Sequence, residues 1–232
     1  MLKERIRLLE AEVRGFAGAL GHAAPRIVYV SKTVAPERMR QAYEVGVRRF
    51  GENKVQEFLD KKEQLPDDIE WHLIGHLQTN KIKPLFKACT GAAFPWIHAL
   101  DRPELAQELA KQADRFGMKP VRCLVQVNIS GEASKGGFEP GAVSGFLETL
   151  EMRGPLEICG LMTLAPLTED KALVKRVFRQ TSELLEQLKK QFPALPLAEL
   201  SMGMSGDYHE AAAEGATLLR IGTAVFGERQ AA

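Results

Sequence analysis

The segment VYVSKTV, residues 28–34, is an apolar β-branched run that carries a lysine at its end. Strand side chains alternate between faces, so Val28, Val30 and Lys32 share one face, while Ile27, Tyr29 and Ser31 share the other. If the valines fill the interior of a barrel, Lys32 stands at its mouth. An amine partly withdrawn from water has a lowered pKa, and its neutral form condenses with a carbonyl to give a Schiff base. The plainer reading is a strand-ending lysine whose stem packs while its head stays solvated. The segment by itself is compatible with both.

Two later stretches could hold an anion. LSMGMSGDYHE places Ser201, Gly203, Ser205 and Gly206 in a small-residue turn ahead of a short helix, and RIGTAVFGE places Gly222 and Thr223 directly after a strand. Small residues let backbone N–H groups approach an anion closely, and hydroxyls add donors. Tight turns and a capping serine would use the same residues. Arg220 lies between Leu218, Leu219 and Ile221; a guanidinium in such a strand cannot shed its proton and needs acceptors. Beside a pyridine ring it would donate to the ring nitrogen and blunt the ring's electron-sink character; a carboxylate on a neighbouring strand is the alternative partner.

Other chemistries find little support. His72 and His76 are four apart in HLIGH, but the segment reads as strand and turn, without the glutamate of an HExxH helix, so no metal site is expected. No nucleophile elbow, Walker loop or kinase set is present. Lys135, in EASKGGF, reads as a solvated loop lysine on the face where a ligand would enter. The formal net charge of +1 points to neither nucleic acid nor an anionic membrane. Cysteines 89, 123 and 159 match no zinc or CxxC spacing, which makes a reducing cytoplasm the default. The first twenty residues are interrupted by Glu10, Glu12 and Arg14, unlike a signal peptide.

The elements that must position these residues alternate along all 232 residues. An amphipathic helix with Leu2, Ile6, Leu9, Val13 and Phe16 on one face comes first. β-type runs then begin near residues 26, 47, 69, 96, 121, 156, 197 and 217. Helical runs follow near 36–45, 53–64, 78 onward, 101–117, 140–151, 169–191 and 207–214. Asp101 is the expected N-cap of the helix that buries Leu105, Leu109 and Phe116, and Leu173, Val177, Leu184 and Leu188 stripe the longest. Eight βα steps in this length predict one (β/α)8 TIM barrel domain, 1–232, with an additional N-terminal helix. An open doubly wound sheet would more naturally carry a GxGxxG turn after its first strand. In a barrel the site lies at the C-terminal strand ends, with phosphate often held after strands 7 and 8. That face would gather Lys32, both small-residue loops and Arg220.

With these residues assembled, the chain resembles the pyridoxal phosphate homeostasis protein family, single-domain relatives of the alanine racemase barrel. The resemblance rests on VSKT (30–33), FGENKVQE (50–57), WHLIGHLQTNK (71–81), VNIS with SKGG (127–130 and 134–137), GLMT (160–163), LSMGMSGD (200–207) and RIGTAVFG (220–227). His76 stands where many relatives have proline. The resemblance implies pyridoxal 5′-phosphate as cofactor, carried on Lys32 as a Schiff base. It places Asn53 and His72 in or near the cofactor pocket, gives the phosphate to Ser201, Ser205, Gly222 and Thr223, and sets Arg220 against the pyridine nitrogen.

The implied function is control of the free level and delivery of the cofactor inside the cell, without catalytic turnover. Apo forms of enzymes that use the cofactor are the candidate recipients, and a monomer or weak homodimer is expected. A racemase needs acid/base groups on both substrate faces. The racemase relatives take one from a second β-domain, for which the eleven residues after Ile221 leave no room. The alternatives are a weak amino-acid racemase or lyase using the same cofactor, and a cofactor-free aldolase acting through Lys32 on a sugar phosphate.

Overall fold

Each β-type run becomes one strand of a parallel barrel. The computed structural model describes residues 1–21, 23–118, 120–132, 135–150 and 154–227. Strands β1 (Arg26–Val30), β2 (Arg49–Glu52), β3 (Glu70–Leu73), β4 (Trp96–Leu100), β5 (Val121–Gln126), β6 (Leu156–Met162), β7 (Glu199–Ser201) and β8 (Leu218–Ile221) pair in chain order. The barrel closes where β8 pairs with β1 in the register Val28↔Arg220. Parallel neighbours require crossovers. These are supplied by α2 (Pro36–Glu44), α3 (Val55–Lys62), α4 (Thr79–Ala88), α5 (Pro103–Phe116), α6 (Val143–Glu148), α7 (Lys171–Gln191) and α8 (Tyr208–Ala213). Helix α1 (Leu2–Ala19) precedes the barrel and packs Ile6, Leu9, Val13 and Ala17 towards α8 and the short α9 (Thr223–Phe226).

The alternation of side chains divides the core in two. Val28, Ala99, Leu124, Cys159, Met162 and Leu218 cluster inside the barrel. A larger set, including Tyr29, Phe50, Phe58, Leu109 and Phe178, fills the space between strands and helices. Val28 fills the interior as expected. Val30 does not: it is half-buried and lines the cleft described below.

Several local expectations are corrected. Asp101 is not the cap of α5; Arg102 holds that position, and the Asp101 carboxylate bonds His76 Nδ1 at 2.7 Å and the Arg102 guanidinium. The guanidinium and the imidazole N–H take up the carboxylate in place of a backbone N–H. Leu173 and Leu184 flank the stripe of α7, whose buried line is Val174, Val177, Phe178, Thr181, Leu185 and Leu188. The helix expected to 151 ends at Glu148, and residue 151 lies outside the described residues. Among the described residues, no helix is long and apolar enough to cross a membrane.

Candidate functional site

The chain leaves β1 through a β-turn over residues 31–34, closed by the Val34 N–H donating to the Ser31 carbonyl at 2.9 Å. Lys32 and Thr33 are its central residues, and Thr33 adopts φ +64°, a region that β-branched residues avoid. The turn places half-buried Lys32 over a cavity of about 300 Å³ lined also by Val30, Thr33, Arg38, Gly222, Thr223 and Phe226. This is the low end of the range for small-molecule sites.

The opposite wall comes from the loops after β7 and β8. A Cβ on Gly222 would lie 3.1 Å from the Val30 carbonyl oxygen, so the absence of a side chain lets β8 run close to β1. Gly203 adopts φ +90°, and a Cβ there would lie 2.5 Å from that of Ala211; its smallness seats α8 against the barrel. The Ala224 N–H donates to Ser205 Oγ at 3.4 Å, which joins the two loops beside Gly222 and Thr223. Lys32, Gly222 and Thr223 therefore share one cleft, with Ser205 at its border.

Arg38 was not foreseen. It sits in the first turn of α2, an unfavourable place for a cation because N-terminal N–H groups already present positive charge. Among the described residues its guanidinium has no hydrogen-bonding or ionic partner, and it lines the cleft. A cation held against a helix start, facing Lys32 and a hydroxyl loop, makes the cleft suited to an anion. The cleft fits a phosphorylated aldehyde: an amine for the carbonyl, and Arg38, Thr223 and backbone N–H groups for the phosphate.

A buried polar chain runs through the barrel beneath. The Arg220 guanidinium donates to Ser201 Oγ at 2.6 Å and to the Thr163 carbonyl at 2.8 Å, so its acceptors are a hydroxyl and a carbonyl rather than the carboxylate considered as an alternative. Ser201 Oγ lies 2.9 Å from His98 Nδ1, His98 Nε2 lies 2.8 Å from His72 Nδ1, and His72 Nε2 lies 3.0 Å from Glu70 Oε1. A carboxylate only accepts, so His72 donates to Glu70, and with both imidazoles kept neutral by burial the other directions follow. Ser201 gives its proton to His98, His98 donates from Nε2 to His72, and His72 donates to Glu70. Both imidazoles are neutral in this order. Burial pushes both histidines below the usual range, His98 further than His72, and pulls Arg220 down to about 10. The bond from His72 holds the Glu70 carboxyl at about 2.

His72 and Ser201 thus lie inside the barrel rather than on the cleft wall, where they act on Arg220. Half-buried Asn53 follows β2, its backbone so close to Gly75 that a Cβ there would fall 2.5 Å from the Asn53 carbonyl oxygen. His76 faces solvent, away from buried His72, so the two do not converge on a metal. Lys135 is not simply solvated: its ammonium donates to the Ala165 carbonyl at 2.7 Å and to Glu132 at 3.2 Å. His98, also unforeseen, is a polar residue within an otherwise apolar strand, and that contrast was its only sequence signal.

The chain forms a closed parallel barrel with a lysine at the exit of β1, beside glycine-bearing loops after β7 and β8, and its sequence matches the alanine racemase N-terminal domain family. The match runs over residues 7–230, and the chain belongs to that family. More narrowly, it belongs with the pyridoxal phosphate homeostasis proteins. It is 43% identical over 212 residues to the one from Aquifex aeolicus, covering 90% of each chain. Identity with the Pseudomonas aeruginosa protein is 39% over 231 residues, covering 98% of this chain and 96% of that protein. The solved structure of PipY from Synechococcus elongatus without PLP matches with a TM-score of 0.86 at 35% identity, covering 98% of this chain and 100% of that one. The same protein with PLP bound gives 0.82 over the same shares.

Proposed function

We propose that the chain binds pyridoxal 5′-phosphate in the cleft at Lys32 and takes part in the cytoplasmic homeostasis and delivery of this cofactor, as a single domain and without turnover of its own. The carrying observation is that Lys32, Arg38, Gly222 and Thr223 line one cleft. When bound, the group would supply an aldehyde, and Lys32 is the amine that would hold it. Arg38, Thr223, Gly222 and Ser205 hold the phosphate end. Arg220, held from below by Ser201, would face the ring nitrogen, and Asn53 would border the ring.

The chemistry of the cleft wall supports binding without turnover. Its described residues include a lysine and an arginine but no carboxylate, imidazole, phenol or thiol. A racemase or lyase must move a proton at the substrate carbon, and the two imidazoles inside the barrel, His98 and His72, have every ring nitrogen engaged. Three buried, unpaired cysteines suit a reducing compartment.

The test is direct. Incubation with pyridoxal 5′-phosphate should give a coloured protein holding one cofactor per chain through gel filtration, and added amino acids should show no sustained racemisation or cleavage. A protein that stays colourless, or one that turns over at enzyme-like rates, contradicts the reading.

A further inference from the structure

Behind the β1 exit, on the side away from the cleft, lies a charged cluster that the binding reading does not use. Lys61, on α3, is buried with only 5% exposure. Its ammonium has three donors, and all are engaged: the Ser31 carbonyl at 2.7 Å, Glu52 Oε1 at 2.8 Å and Glu57 Oε1 at 2.7 Å. Ser31 Oγ donates to the same Glu52 oxygen at 2.6 Å. The Thr33 N–H donates to Glu57 Oε1. The residues on both sides of Lys32 are therefore tied to one ionic cluster, while Lys32 itself turns to the cleft.

Fold stability explains this cluster poorly. Buried ion pairs are often matched or bettered by apolar residues of similar volume, and Glu52 Oε2 is buried with no partner among the described residues. The turn it grips carries a β-branched residue at positive φ, a conformation that persists only where its surroundings over-determine it. Val34 N–H closes the turn from within, and Glu57 holds its strained peptide from outside.

We propose that Glu57, braced by Lys61 and Glu52, is a positioning residue for Lys32: by accepting the Thr33 N–H it fixes the strained turn that aims the amine into the cleft. This rests on the reading that Lys32 is the attachment point. A misplacement of about 1 Å can cost on the order of a hundredfold in a reaction step, so a loosened turn should be felt at the amine before it is felt at the phosphate wall.

The experiment compares Glu57→Ala and Glu57→Gln with the unmodified chain, using two ligands. Pyridoxal 5′-phosphate needs the Lys32 amine, whereas pyridoxamine 5′-phosphate, which has no aldehyde, probes the rest of the cleft. Glu57→Ala should slow borohydride trapping of pyridoxal 5′-phosphate at Lys32 and weaken its binding by about tenfold or more. Binding of pyridoxamine 5′-phosphate should stay within about twofold. Glu57→Gln keeps an acceptor for the Thr33 N–H and should stay close to the unmodified chain in both. Unchanged trapping in Glu57→Ala, an equal loss for both ligands, or a Glu57→Gln loss as large as that of alanine would overturn the proposal. Failure of the binding reading looks different: the unmodified chain itself would show no adduct at Lys32.

Discussion

Arg220 donates to the Ser201 hydroxyl at 2.6 Å, at the head of a buried row of hydrogen bonds that runs through His98 and His72 to Glu70. Burial keeps both histidines neutral, and since Glu70 only accepts, His72 donates to it, His98 donates to His72 and Ser201 donates to His98. The pH dependence follows. Their folded pKa values are depressed below the unfolded value near 6.5, so between those values the unfolded chain binds more protons. Stability falls as pH drops below about 6.5, by up to about 1.4 kcal/mol per pH unit for each histidine. Glu70 adds in the same direction at lower pH, since its stabilising contribution is complete above the unfolded carboxyl value and is lost on approach to about 2. Denaturant midpoints at pH 7.0 and about 5.5 should show the loss, and a His98→Gln variant should flatten it. A midpoint independent of pH across that range argues against two neutral buried imidazoles.

Arg38 should discriminate on phosphate. Its guanidinium lines the cleft, at the start of a helix and without a partner among the described residues. Arg38→Ala should weaken pyridoxal 5′-phosphate binding about three- to tenfold at low salt, less at high salt, and leave pyridoxal binding unchanged. Isothermal titration with the two ligands makes the comparison; equal losses for both would remove the phosphate contact from the account.

Gly203 should not tolerate a side chain. At φ +90° and with Ala211 Cβ 2.5 Å from where its own Cβ would be, Gly203→Ala adds backbone strain to overpacking. Together these cost about 2–4 kcal/mol. The loss should appear in the denaturant midpoint and extend to cofactor retention, since Gly203 seats the loop that carries Ser205. A variant as stable as the unmodified chain would show that α8 can shift outwards at little cost.

The barrel was legible because its signals are local. Short β-type runs, the stop at Gly46 (φ +106°) and the amphipathic α1 each depend on neighbours a few residues away. The cleft was legible where motifs are compact, as at Lys32 and at Gly222–Thr223. The buried chain was not, because His98 meets His72 across 26 positions and Ser201 across 103. Ser201 read as a loop hydroxyl, yet it ends β7 in register with interior Met162, so its side chain turns inward. Nothing in PERMRQAYE shows that Arg38 meets the exit of β8, because that contact is made only in the folded barrel. Nothing local joins Glu52 to Lys61; only the folded placement of α3 sets the Lys61 ammonium on Glu52 and the Ser31 carbonyl beside Lys32.

The central claim is that Lys32 is the residue to which pyridoxal 5′-phosphate becomes attached. Borohydride reduction of the cofactor-loaded protein, followed by peptide mass mapping, tests it most directly. The account predicts a single pyridoxyl adduct on Lys32 and none in a Lys32→Ala variant treated in the same way. An adduct on Lys135 or another lysine with Lys32 unmodified would contradict it.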